Sequence, residues 1–256
     1  MIQLMSRPPS SPARGRPTAT ALVVLTGVFL SSLDLFIVNI AFPSMAASFR
    51  GTSLSSLSWV LSAYTIVFAA ALVPAGRWAD RAGRRRAFLL GLAVFAASSA
   101  LCALAPSLGF LVAVRALQAL GGALMLPTSL GLLLPAFGPA RAGAAIGLWS
   151  AVGGAAAALG PPVGGLLVQV SWRWVFLVNL PFSVAALLAG RRLLSEVRDD
   201  AAHKADLLVA VLKQLHKKHE YIVYDDEGHG FTRRKNITDQ YKRTVEFFTK
   251  ELGTGH

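Results

Sequence analysis

Six stretches of almost unbroken apolar residues follow one another between Thr18 and Arg192, parted by short polar breaks. A helix needs about 20 apolar residues to cross the hydrocarbon core of a bilayer. The pattern therefore predicts spans at 19–42, 57–76, 87–106, 108–135, 142–168 and 172–190. The clearest breaks are the basic stretch 77–86 and the segment 139–141; Pro106 with Ser107, and Ser171, make shorter ones. Residues 1–18 are polar and rich in Pro, Ser and Arg, which reads as a short disordered tail with no cleavable signal peptide.

Polar residues are so scarce in this region that each one carries information. Asp34 and Asp80 are its only acidic residues, and it has no lysine or histidine. Asp34 falls inside the first span. A carboxylate there is costly and is tolerated mainly where it faces a cavity or a proton path. The competing reading is a satisfied polar residue that ties two helices together. Arg115, inside the fourth span, either attracts an anionic partner and tunes a nearby carboxylate or pairs with backbone carbonyls. Span five is dominated by Gly and Ala, which let helix backbones approach closely in lipid. Pro161 and Pro162 predict a kink in it.

Composition agrees: 54% of residues are hydrophobic and 15% charged, with mean hydropathy +0.54. The net charge of +12 raises nucleic-acid binding, but the arginines flank apolar spans instead of clustering on a solvated face, so that class is excluded. Eleven arginines (7, 14, 16, 77, 81, 84, 85, 86, 141, 191 and 192) lie on one side of the six spans. Only Arg50 and Arg173 lie on the other. Positive charge favours the cytoplasm, so both ends of the region are expected there, in a cell membrane. A single cysteine, Cys102, excludes an intrachain disulfide. Nothing in the pattern points to a metal or a cofactor.

The chain changes character near residue 200. All seven lysines, all five histidines and eight of thirteen acidic residues lie at or beyond 203. The pattern there predicts a helix at 205–215, a short strand at 220–224, a turn at 225–230 and an amphipathic helix at 236–252. The stripe of that last helix is Tyr241, Val245, Phe248 and Leu252.

Five motifs, in order and correctly spaced, resemble the N-terminal half of a major facilitator superfamily transporter of the 14-helix drug:proton antiporter group. They are the run Leu33-Asp34-Leu35-Phe36-Ile37-Val38-Asn39, the stretch from Gly76 through Asp80, Arg81, Gly83, Arg84 and Arg85, and Arg115-Ala-Leu-Gln118 with Gly121 and Gly122. The others are Gly160-Pro161-Pro162-Val163-Gly164-Gly165 and Ser171-Trp172-Arg173-Trp174, continuing to Asn179 and Pro181. Phe36 and Ala119 depart from the family's usual Thr and Gly. The resemblance implies proton coupling through Asp34 and Arg115, a bracing cytoplasmic network at Asp80, Arg81, Arg84 and Arg85, and motif roles for Gln118, Gly160, Pro161, Gly164 and Gly165. The plain alternative for the loop arginines is topology-setting charge. Trp172 and Trp174 are expected to anchor the outer interface.

Residues 203–252 resemble the C-terminal end of the α/β-hydrolase domain in the prolyl oligopeptidase family. That likeness would make His229 the base of a Ser-His-Asp triad. No Gly-x-Ser-x-Gly elbow exists to serve it, so His229 is read as a relic and the chain as no enzyme.

The expectation is an all-α membrane protein, half of a major facilitator fold at 19–192, joined through 193–202 to a short α/β cytoplasmic tail at 203–256. Its partners would be the bilayer, protons, a small drug-like compound and a second half-transporter or a second copy. A serine hydrolase fragment and a chimeric gene product are the rival readings.

Overall fold

The computed structural model describes residues 17–195 and 234–252. The chain divides into two compact units, residues 1–199 and residues 200–256.

The first unit is helical. Its helices are α1 (Pro17–Ile40), α2 (Phe42–Ser48), α3 (Leu54–Ala82), α4 (Arg84–Ala103), α5 (Leu108–Phe137), α6 (Ala142–Val170), α7 (Trp174–Leu177) and α8 (Asn179–Leu193), with a 3-10 turn at Pro139–Arg141. Among the described residues, six helical segments are long and apolar enough to cross a membrane, α7 and α8 together making the sixth. Local chemistry sets the ends. Ser53 and Ser107 sit in extended backbone and cap α3 and α5, their hydroxyls accepting from the N–H groups of Ser56 and Phe110. Pro43 lacks the N–H that would continue α1, which stops at Ile40. Pro181 likewise leaves the Leu177 carbonyl without its helical donor, and the sixth span breaks between α7 and α8.

Three expectations change. The basic stretch 77–86 is not an open loop: α3 runs on to Ala82 and α4 begins at Arg84. Nothing in Arg77–Trp78–Ala79–Asp80–Arg81 breaks a helix. The break is Gly83 alone, at φ +105°, a conformation that suits glycine. Trp172 is no interface anchor, being 1% exposed. Its ring packs on Phe49 and Phe176, and its Nε1–H donates to Ser48 Oγ at 3.0 Å, joining α2 to α7. Its neighbour Trp174 is exposed. Third, the glycines of span five do not act alike. A Cβ on Gly160 would lie 2.8 Å from Phe36 Cβ, and one on Gly164 3.0 Å from Ile37 Cγ1, so these two let α6 press on α1. Gly147, Gly154 and Gly165 face nothing within 4 Å. α6 runs unbroken through Pro161 and Pro162.

The helices form two rows. α5 lies between α3 and α4, and α1 between α6 and α8. α1 meets α5 across the rows, and α4 meets α8 at one edge. At the other edge stand α3 and α6, whose apolar windows are only 22% and 17% buried, against 61% for α1. Two apolar clusters fill the interior. One gathers Leu33, Ile37, Leu57, Leu111 and Phe176, and the other Leu30, Phe88, Phe95 and Leu132.

In the second unit the expected last helix is present as α9 (Arg234–Leu252), with Arg243 paired to Asp239 at 2.9 Å. Its apolar stripe is open at Tyr241 (68% exposed) and Val245 (62%). The helix expected at 205–215, the strand at 220–224, the turn, His229 and residues 1–16 lie outside the described residues.

Candidate functional site: a buried ion pair in the bundle

Along α1 the residues Leu30, Leu33, Asp34 and Ile37 share one buried stripe at helical spacing, so Asp34 takes the place of an apolar core residue between the two clusters. It is fully buried. α5 presents Arg115 and Gln118, three residues apart and hence on one face. α4 supplies Ser99, and Asn179 opens α8.

These side chains meet. Arg115 Nη1 lies 2.5 Å from Asp34 Oδ2 and also donates to Gln118 Oε1 at 2.6 Å. Gln118 Nε2 donates to Asp34 Oδ1 at 3.1 Å and to Ser99 Oγ at 2.7 Å. Asn179 Nδ2 is 3.3 Å from both Asp34 Oδ1 and Ser99 Oγ. The carboxylate thus receives three donors, all from within this unit. Arg115 has further support: its Nε donates to the Val60 carbonyl at 3.3 Å, and its guanidinium lies 4.2 Å from the centre of the Tyr64 ring and 5.6 Å from that of Phe176. Cys102 Sγ approaches Gln118 Oε1 at 3.7 Å.

A buried pair survives only when its geometry is good and its remaining polar atoms find partners. Both conditions hold for Arg115 and Asp34. The arrangement is also chemically lopsided. Arginine stays charged, whereas a carboxylate can take up a proton. Besides Asp34, Arg115 has a carbonyl, an amide oxygen and an aromatic face as partners.

The other motif residues lie apart from this cluster. Asp80 and Arg84 pair at 3.0 Å, four residues apart across Gly83, and Arg84 Nη1 reaches the Gly131 carbonyl at 3.3 Å. Gly76, Asp80 and Arg84 line one side of a cavity of about 290 Å³, opposite Pro127, Thr128 and Gly131. Arg85 donates to the Arg191 carbonyl at 2.7 Å, and Arg81 is exposed. Gly160 and Gly164 touch α1 at Phe36, Ile37 and Ile40, just beyond Asp34, while Pro161 is exposed.

The sequence reading left Ser99, Tyr64 and Asn179 out of the site. The available signal was polarity inside an apolar span. It marked Ser99 and Asn179 no more strongly than Ser31 and Asn39, which bond to their own helix.

Residues 24–222 match the Major Facilitator Superfamily. The matched range crosses the expected junction at 193–202 and enters the segment that resembles a hydrolase. The tetracenomycin C resistance and export protein of Streptomyces glaucescens is 44% identical over 198 residues, covering 77% of this chain and 37% of that protein. The methylenomycin A resistance protein of Bacillus subtilis (strain 168) is 42% identical over 178 residues, 69% of this chain and 38% of that protein. The chain thus spans well under half the length of these relatives. Among solved structures, a bacterial homolog of the human lysosomal transporter Spinster, inward-facing and unoccupied, aligns with TM-score 0.59 at 17% identity. It covers 80% of this chain and 50% of that one, a likeness of fold.

Proposed function

Because the chain belongs to the major facilitator superfamily and is a multi-pass membrane protein, we propose that it serves proton-coupled export of a small drug-like compound. Asp34 takes up and releases the proton, and Arg115 is its counter-ion. The observation that carries this reading is the fully buried Arg115–Asp34 pair at 2.5 Å, Asp34 being the one buried acidic side chain among the described residues. The resistance and export names of the relatives support the drug-like class of cargo.

A transport pathway of this fold runs between two six-helix halves. The second half is assigned to the edge formed by α3 and α6, the least covered spans. A second half-transporter or a second copy of the chain would fit there. The arginine bias supports cytoplasmic placement of both ends of the six-span unit in the cell membrane. The pairing of Asp80 with Arg84 supports a bracing role for that corner. The segment from 203 is assigned no chemistry, and His229 no base role.

The test is Asp34→Asn in sealed vesicles with an imposed proton gradient. Gradient-driven movement of the compound is expected to vanish while membrane insertion stays intact. Undiminished transport in the variant removes Asp34 from the mechanism.

A further inference from the structure

We propose that Asn179 is a two-way latch for the proton on Asp34, an inference that rests on the reading of Asp34 as the proton-binding group. Asn179 is fully buried, and its Nδ2 contacts Asp34 Oδ1 and Ser99 Oγ at 3.3 Å each. Its Oδ1 is buried with no hydrogen-bond partner. Buried polar atoms are seldom left so, and an exception calls for a reason.

The reason lies in what Asp34 needs in each protonation state. Ionised, the carboxylate only accepts, and it has three donors. Protonated, it carries an O–H that must find an acceptor. Gln118 Oε1 already accepts from Arg115 Nη1 at 2.6 Å, and Ser99 Oγ accepts from Gln118 Nε2 at 2.7 Å. Two acceptors of this cradle are unused, Asn179 Oδ1 and the Tyr64 hydroxyl, and of these two groups the Asn179 amide is the one in hydrogen-bond contact with Asp34. A half-turn of the planar amide exchanges its donor and acceptor ends with almost no change of shape. The turn brings Oδ1 to the place of Nδ2, beside Asp34 Oδ1. Ser99 can follow, because a hydroxyl donates as readily as it accepts.

The balance is simple. Asp34 takes one proton from water and loses its charge. Arg115 keeps its proton, and the cluster gains one positive charge. The other titratable groups around the pair are Tyr64 on α3 and Cys102 on α4. α6 and α7 carry none, and on α8 the only charges, Arg191 and Arg192, lie at its far end.

The experiment is infrared difference spectroscopy of the full chain in lipid, labelled with carbonyl-13C asparagine and titrated from alkaline to acid pH. The chain has only three asparagines, Asn39, Asn179 and Asn236. The Asn179 band is the one missing from Asn179→Leu. Should that variant not fold, Asn39→Ala and Asn236→Ala assign it by elimination. The Asp34 acid band is the one missing from Asp34→Asn. The latch requires the Asn179 carbonyl band to shift in step with the Asp34 acid band, and to lose its pH dependence in Asp34→Asn. An Asn179 band that stays still while the Asp34 acid band rises overturns the latch alone. Absence of an Asp34 acid band at every pH overturns the proton reading of Asp34, and the latch with it.

Discussion

At the residue scale one buried pair, Asp34 with Arg115, links α1 to α5. Asp34 and Arg115 stood out in the sequence because charge is rare in an apolar span, yet nothing there joined two residues 81 positions apart. Pairing of α1 with α5 does that, and the sequence does not encode it in any local pattern. Trp172 failed for a related reason: an indole at a span's end reads as an anchor until Ser48 and Phe49 are found against it. If the pair is as tightly coupled as its geometry, Arg115→Leu leaves a buried, unpaired carboxylate and is expected to lower stability by about 3–5 kcal/mol. The double variant Arg115→Leu with Asp34→Leu should recover most of that loss. Chemical unfolding in detergent measures both. A double variant less stable than either single one would mean that the two charges do not depend on each other.

At the element scale the spans were legible from hydropathy, and observed ends differ from expected ones by a few residues. The exception is the corner between α3 and α4, where a run of arginines reads as a loop but is helical on both sides of Gly83. Charge marks where a helix leaves the membrane, whereas Gly83 marks where it stops. Close packing was also legible only in part. Composition named a glycine-rich span, but neighbours decide which glycines matter, and only Gly160 and Gly164 meet α1 closely. A Cβ at position 164 would lie 3.0 Å from Ile37 Cγ1 and 3.2 Å from the Ile37 carbonyl oxygen. Gly164→Val is therefore expected to push α6 off α1 and to cost about 1–3 kcal/mol, as overpacking does. Gly165→Val, facing nothing within 4 Å, should cost far less. Thermal unfolding of the two purified variants compares them directly, and equal losses would contradict the assigned contact.

At the scale of the whole molecule, the class of fold was legible because lipid restricts a chain to few solutions. Assembly was not, since it does not follow from the period of hydrophobic residues, whereas the last helix beyond 203 was legible from its apolar stripe. Two expectations belong here. Cysteines placed at positions 14 and 195 should react with an impermeant reagent only from the cytoplasmic side, and labelling of either in intact cells would reverse the orientation. The purified chain and its His229→Ala variant should hydrolyse activated esters at the same rate, whereas a fluorophosphonate-sensitive difference would reveal a nucleophile. The central claim is that a compound and a proton exchange through Asp34. Vesicles containing the chain, with a pH-sensitive dye sealed inside and a compound gradient but no proton gradient imposed, read that exchange as proton movement. Proton movement is expected with the native chain and none with Asp34→Asn. Equal proton movement in both would contradict it.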